Sequence, residues 1–444
     1  MRCLVGCLGL LLVFVAQGLA QDEVELVTVD DCVRLALAGN RRVNAAREQA
    51  ESARQSATET GTRRWPRVST SATYARIEGA EEGSLLAGGG AGAAGFGSAG
   101  GAGAFSPSGG IEEYSSAGVS VTEPLADQVG LGYQLKIARL EAAIAAMEQA
   151  SAENAVGFAA RQAYYRALTF EKTAESVTQT ITELESTLKL VRSLKEAGRV
   201  LQRDVNKADI AVERAKLGLL RAQNALRSAT SSLRDVLGLE LDAPIAPAPT
   251  EAVEPFELTL DECIATAHAG RPDLRASQLG YEAARRGVGL ARSAYVPSVG
   301  ASVSYEWQDT DLTASEDSVT YGLSWSWDLW DWGGRRAAVR SAKAVQRAAY
   351  LAYRDARNQV ALEVERLWLT LGVARQTIAV AKKDWDYATE NVRVSREKYE
   401  AGTLLITDLL DDQTQLNDAR IAYYVAIYEY AIALADLRRA MGER

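Results

Sequence analysis

The chain has 444 residues, 47% of them hydrophobic but only 7% aromatic, and a formal net charge of −9. Apolar content so rich in small side chains favours helices packed closely side by side over one thick globular core. An acidic balance with no basic patch excludes nucleic acid as a partner.

Residues 1–20 read as a secretory signal: Arg2 gives the positive start, Leu8 to Ala16 the apolar run, and Gly18-Leu19-Ala20 the small residues of a cleavage site. Cys7 does not make this a lipid-attachment signal, because the apolar run follows it. After Ala20 no stretch is apolar enough for a membrane-spanning helix, so an exported chain of this kind enters a membrane only as a β-barrel.

Residues 21–242 form a first structural repeat. Thr28-Val29-Asp30-Asp31 opens a helix with a capping-box pattern, and the helical pattern runs to about Arg64, where Trp65-Pro66 stops it. Period-two segments then run from Arg67 to Ile77 and from Tyr114 to Glu123. Between them, Gly83–Gly110 holds 12 glycines in 28 residues. Such a loop buries too little to order itself and reads as a mobile external loop. No Lys-Ser/Thr pair follows these glycines, which argues against phosphate binding. A helix of about seventy residues, Asp127 to Ala197, spans ~105 Å. It breaks at Glu196-Ala197-Gly198, and a return helix follows that carries Val205, Val212, Leu219, Leu226 and Leu233 at intervals of seven.

Residues 243–257 read as a Pro-rich, semi-rigid extended linker, and residues 258–444 repeat the first half. Thr259-Leu260-Asp261-Glu262 opens a helix that Val296-Pro297 closes. Cys263 stands where Cys32 stood, and small buried side chains explain both. In the next segment Val299, Ala301, Val303, Tyr305 and Trp307 alternate with small or polar residues. Val319, Tyr321, Leu323, Trp325 and Trp327 do the same. One apolar and one polar face over about ten residues is the pattern of a membrane-barrel strand. Trp65, Trp325, Trp327, Trp330 and Trp332 crowd the strand ends, as in the aromatic girdle of a membrane interface. Two hairpins give four strands, too few to close a barrel, so several chains must contribute, and three copies give twelve.

A second long helix runs from Gly333 to Glu400 and breaks at Glu400-Ala401-Gly402, with Thr403 expected to cap the return helix. That helix repeats Leu409, Leu416, Tyr423, Tyr430 and Leu437, with Ala419, Ala426, Ala433 and Ala440 three residues on. A sustained seven-residue repeat imposes a left-handed coiled coil. The lone His268 has no nucleophile beside it, and Asp411-Asp412 has no pocket in the pattern. Neither an enzyme, a cofactor nor a zinc site is expected. A secreted coiled-coil scaffold without a pore fits the heptads, but not the alternating strands with Trp at their ends.

These features, in order and duplicated, resemble the TolC-like outer-membrane efflux family. The resemblance covers essentially the whole mature chain. It rests on the paired helix starts, the Pro-terminated helices, Pro124-Leu125-Ala126-Asp127 with Asp328-Leu329-Trp330-Asp331-Trp332-Gly333-Gly334, and Tyr399-Glu400-Ala401-Gly402 with Asp408-Leu409-Leu410-Asp411. It implies a mainly α fold with a membrane β-barrel: a homotrimer whose twelve strands form one barrel in outer-membrane lipid and whose helices form a periplasmic tunnel. It implies that Asp408 and Asp411 gate the pore. The tips Glu196, Ala197, Gly198 and Asp204, with Glu400, Ala401, Gly402, Thr403 and Leu404, would dock a periplasmic adaptor, and an inner-membrane pump would supply the energy. Leu404 stands where some members carry an arginine that helps hold the tip closed. The cargo implied is small molecules or metal ions, or alternatively a polypeptide leaving through a type I secretion system.

Overall fold

The computed structural model describes residues 25–76, 113–240, 242–249, 255–310 and 313–443. The signal segment, the Gly-rich loop and Ile77 lie outside them. In chain order the elements are β1 (Glu25–Val27), α1 (Val29–Gly39), α2 (Arg41–Thr62), β2 (Arg67–Arg76), β3 (Glu113–Pro124), α3 (Gln128–Glu196), α4 (Gln202–Leu237) and β4 (Ile245–Pro247). Then come α5 (Leu260–Gly270), α6 (Pro272–Ser293), β5 (Ser298–Thr310), β6 (Thr313–Ser326), α7 (Gly334–Glu400) and α8 (Ile406–Met441). The duplication holds residue for residue. Leu260 follows Val29, and Pro272 follows Arg41, at a distance of 231; Ile406 follows Gln202, and Met441 follows Leu237, at 204.

Two expectations need correction. The helices expected to run unbroken from Thr28 to Arg64 and from Thr259 to Val296 each break near the end of their third turn. At the first break Asn40 leaves the helix in an extended conformation (φ −68°, ψ 128°). Its amide donates to the Val236 carbonyl at 2.8 Å, and its Oδ1 accepts from the Arg42 backbone N–H at 2.8 Å, which starts α2. At the second break Arg271 is extended, and Pro272, whose fixed φ suits a first helical position, starts α6. Arg271 donates to Glu363 at 2.5 Å, and Arg439 binds the other oxygen of that carboxylate at 2.9 Å.

The chain divides into two compact units. One comprises Met1–Glu51, Ala143–Gln278 and Leu351–Arg444. Thr28 caps α1 and Thr259 caps α5 through the backbone N–H three residues on, as their patterns predict. Cys32, Ala36, Tyr164, Leu233 and Leu237 share one core with Tyr428; Cys263, Ala267, Val364 and Leu437 share another with Met441. Both cysteines are free and buried, and burial, with the Asp31 charge adding, pushes the Cys32 thiol up to about 12. The Pro-rich segment is extended, but its strand β4 pairs in parallel with β1 and buries Ile245 and Pro247, and Tyr164 donates to the Ala248 carbonyl at 2.7 Å. It is therefore pinned at Ile245 to Ala248, not a free spacer there. On α8 the seven-residue stripe is buried at Leu409, Leu416, Tyr430 and Leu437, with Ala419, Ala426 and Ala440 beside it.

The other unit comprises Ser52–Ala142 and Leu279–Tyr350. Its sheet has the order β2-β3-β5-β6, antiparallel throughout. The register aligns Val68, Val121, Val303 and Tyr321 across all four strands, and likewise Thr70, Val119, Tyr305 and Val319. Because side chains alternate, one face is apolar from edge to edge, while the other carries Ser69, Ser120, Ser304 and Thr320, with the Ser69 and Ser120 hydroxyls 2.8 Å apart. The apolar face is exposed, Tyr321 at 78% and Leu323 at 73%. An uncovered apolar face of this extent requires lipid or another partner.

Candidate functional site

The two hairpin tips are built alike. Gly198 (φ +74°) ends the turn after α3, and Gly402 (φ +77°) ends the turn after α7; the left-handed backbone at both positions is one that only glycine adopts without strain. Each tip closes with the same pair of bonds. Gly198 N donates to Lys195 O and Arg199 N to Leu194 O; Gly402 N donates to Tyr399 O and Thr403 N to Lys398 O, all within 2.8–2.9 Å. These satisfy carbonyls that the helix end would otherwise leave open.

Thr403 does not cap α8. Its hydroxyl donates back to the Lys398 carbonyl at 3.0 Å and so finishes α7. The N-cap of α8 is Leu405, which has no side-chain cap bond. The cap position is set by the residue that turns extended immediately before the first helical turn, and Thr403 lies too early to reach that turn's N–H groups. In the first repeat Leu201 occupies the same place, and its backbone N–H is received by Asp204 at 3.2 Å.

The two tips are tied together by Arg199, whose guanidinium donates to the Glu400 carbonyl at 2.9 Å. Below them Leu188, Val191, Val205, Ile406 and Leu409 form a core that also encloses Tyr399. The Tyr399 hydroxyl is buried with no partner among the described residues; burial first, and the nearby Asp204 carboxylate second, push this phenol above its usual value.

Asp408 and Asp411 are both exposed on the first turns of α8, one turn apart and so on one face. Neither makes an ion pair among the described residues. Their counterparts in the first repeat differ in kind: Asp204 is turned inward to cap Leu201, and Lys207 is exposed. Asp412 is not part of the acidic face, since it receives the Ser395 hydroxyl.

The five tryptophans are all exposed, up to 90% at Trp332. The backbone accounts for that extreme. Trp332 has a positive φ of 54°, and Asp331 holds the turn by receiving the Arg335 N–H at 2.6 Å and the Gly333 N–H at 3.2 Å. Those bonds, the Arg335 N–H first, keep the Asp331 carboxyl below its usual range. The Arg335 guanidinium also stacks over the Tyr295 ring at 5.4 Å.

A polar seam between α3 and α8 was not anticipated. Gln413 donates to the Thr187 hydroxyl at 2.8 Å, Thr180 donates to Asn417 at 2.9 Å, and Arg420 donates to Glu183 at 3.0 Å. Gln413 and Arg420 are 3% and 5% exposed. The signal was present, because both fall four residues after a stripe leucine, on the flank of the seam one residue past the alanine position.

The model of the outer membrane efflux protein family matches residues 32–239 and 263–443, which takes in both tips, the strands β2, β3, β5 and β6 and both acidic positions. The chain belongs to the outer membrane efflux protein family. Protein CyaE of Bordetella pertussis is 32% identical over 199 residues, 44% of this chain and 42% of CyaE, so the matched stretch spans less than half of that relative. Outer membrane protein TolC of Vibrio cholerae is 23% identical over 343 residues, 74% of this chain and 76% of that one. Among solved structures, CusC superimposes with a TM-score of 0.78 at 16% identity, covering 97% of this chain and 96% of CusC. This likeness gives the fold, a TolC-like protomer of barrel strands and tunnel helices, and membership of the family makes this a protein of the outer membrane.

Proposed function

We propose that this protein is the outer-membrane channel-tunnel of a tripartite efflux pump, passively conducting small molecules or metal ions from periplasm to exterior as a homotrimer. One observation carries this reading: a four-stranded sheet with an exposed apolar face, a serine-rich opposite face and two edges, β2 and β6, that are unpaired among the described residues. Exposed edges solicit further strands, and membrane barrels begin at about eight strands. Three copies joined β6 to β2 close twelve strands, with lipid outside and water against the serines.

In that assembly Asp408 and Asp411 contribute six carboxylates to a narrow constriction at the inner end of the tunnel that favours cations. The Gly198 and Gly402 tips form the surface for a periplasmic adaptor, an inner-membrane pump supplies the energy, and residues 1–20 direct export. The test is extraction and conduction. The full-length protein should require detergent, migrate as a trimer when unheated, and open discrete currents in planar bilayers. A monomer soluble without detergent overturns the reading.

A further inference from the structure

Beneath the tips, α3, α4 and α8 line an open-sided cavity of about 610 Å³. Its volume lies in the range of pockets that hold drug-sized ligands. The two repeats face each other across it. Lys207 and Asp411, equivalent in the duplication, both line it, as do Ile210 and Thr414, equivalent in the same way. On α4, Arg214 adds a second cation one heptad beyond Lys207, whereas its counterpart on α8, Asp418, does not line the cavity. The walls therefore carry two cations against the single carboxylate of Asp411, leaving one positive charge unbalanced. Val177 and Leu184 of α3 provide an apolar floor. Gln413 also lines the cavity, and its Oε1 is buried without a hydrogen-bond donor.

We propose that this cavity binds an amphiphilic organic anion of drug-like size that also offers one hydrogen-bond donor. Arg214 and Lys207 receive its acid group, the α3 floor its apolar body, and the Gln413 side its donor. The assignment rests on the channel reading for its role, a station on the export route next to the acidic constriction. The net charge of the walls is opposite to that of the constriction at the tips, so an anionic cargo that has entered there meets a favourable contact.

The probe is 8-anilinonaphthalene-1-sulfonate, which has a sulfonate, an aromatic body and one N–H. It is titrated by fluorescence onto full-length trimers in lipid nanodiscs, against empty nanodiscs. One saturable site per protomer is expected. Lys207→Glu with Arg214→Glu should weaken binding by about tenfold or more, roughly 1.4 kcal/mol. Gly218→Leu should do the same without touching a charge. Gly218 lines the cavity, and a Cβ there meets only Val177 Cγ1, at 3.8 Å, so the helix accepts the larger side chain and the cavity is filled. A signal no greater than that of empty discs, unchanged affinity in both variants, or loss in the charge variant alone overturns the site. Bilayer currents of the same preparations are scored separately. Normal currents without probe binding remove the station and leave the channel; probe binding without currents does the reverse.

Discussion

The side-chain amide of Gln413 on α8 donates 2.8 Å to the hydroxyl of Thr187 on α3, within the polar seam between those helices. Thr187 does not depend on that bond, because its hydroxyl also donates to the Glu183 carbonyl at 3.1 Å. Gln413, by contrast, leaves its Oε1 buried and unpaired among the described residues. A buried unsatisfied acceptor costs about 1–3 kcal/mol. Gln413→Met should therefore leave stability unchanged or raise it by about 1 kcal/mol, read as the urea midpoint of the helical signal. A loss of stability would show that the amide contributes more than its orphan oxygen costs.

Positive φ alone does not predict how badly a glycine tolerates replacement. Gly238 and Gly402 have φ of +74° and +77°, but a Cβ at Gly238 would stand 2.4 Å from the Gly39 carbonyl oxygen, whereas at Gly402 it would meet only the Arg199 guanidinium, at 3.7 Å. Gly238→Ala should prevent accumulation of folded trimer. Gly402→Val should cost only the local strain, ~1–2 kcal/mol, leaving trimers intact while abolishing export. Normal export by Gly402→Val counts against a docking role for the tips.

The acidic face of α8 has a direct electrical readout. Asp408→Ala with Asp411→Ala removes two exposed carboxylates per copy without disturbing a described hydrogen bond. Single-channel conductance should rise and cation preference should fall. Unchanged bilayer currents would remove both residues from the gate.

Glu363 ties α5 to α8 through Arg271 and Arg439. Burial acts to raise its pKa, but the hydrogen bonds and charges of the two arginines outweigh burial and hold it below the usual 4.5. A carboxylate lowered in the folded state contributes stability that is complete above its unfolded value and is lost as pH falls through the folded one. The native protein should therefore lose stability progressively below pH ~4.5. Glu363→Gln should be less stable at pH 7 and show a flatter acid limb. Parallel limbs for the two proteins in acid-dependent thermal melts would refute this assignment.

The sequence by itself determined the duplicated plan, the four strands and their faces, the glycine tips and the heptad stripe. Each follows from local chemistry: strand side chains alternate by two, helical ones recur by about 3.6, and a left-handed stop selects glycine. Only the tertiary structure decided where those plans bend. The breaks at Asn40 and Arg271 are stabilised by Val236 and Glu363, 196 and 92 residues away. The Pro-rich segment is held by β1, Asp204 is spent on a cap while Asp408 stays exposed, and Lys207 and Asp411 line one shared cavity. Such outcomes depend on which partner a side chain meets after the chain has folded, and neither residue type nor spacing encodes a partner so remote.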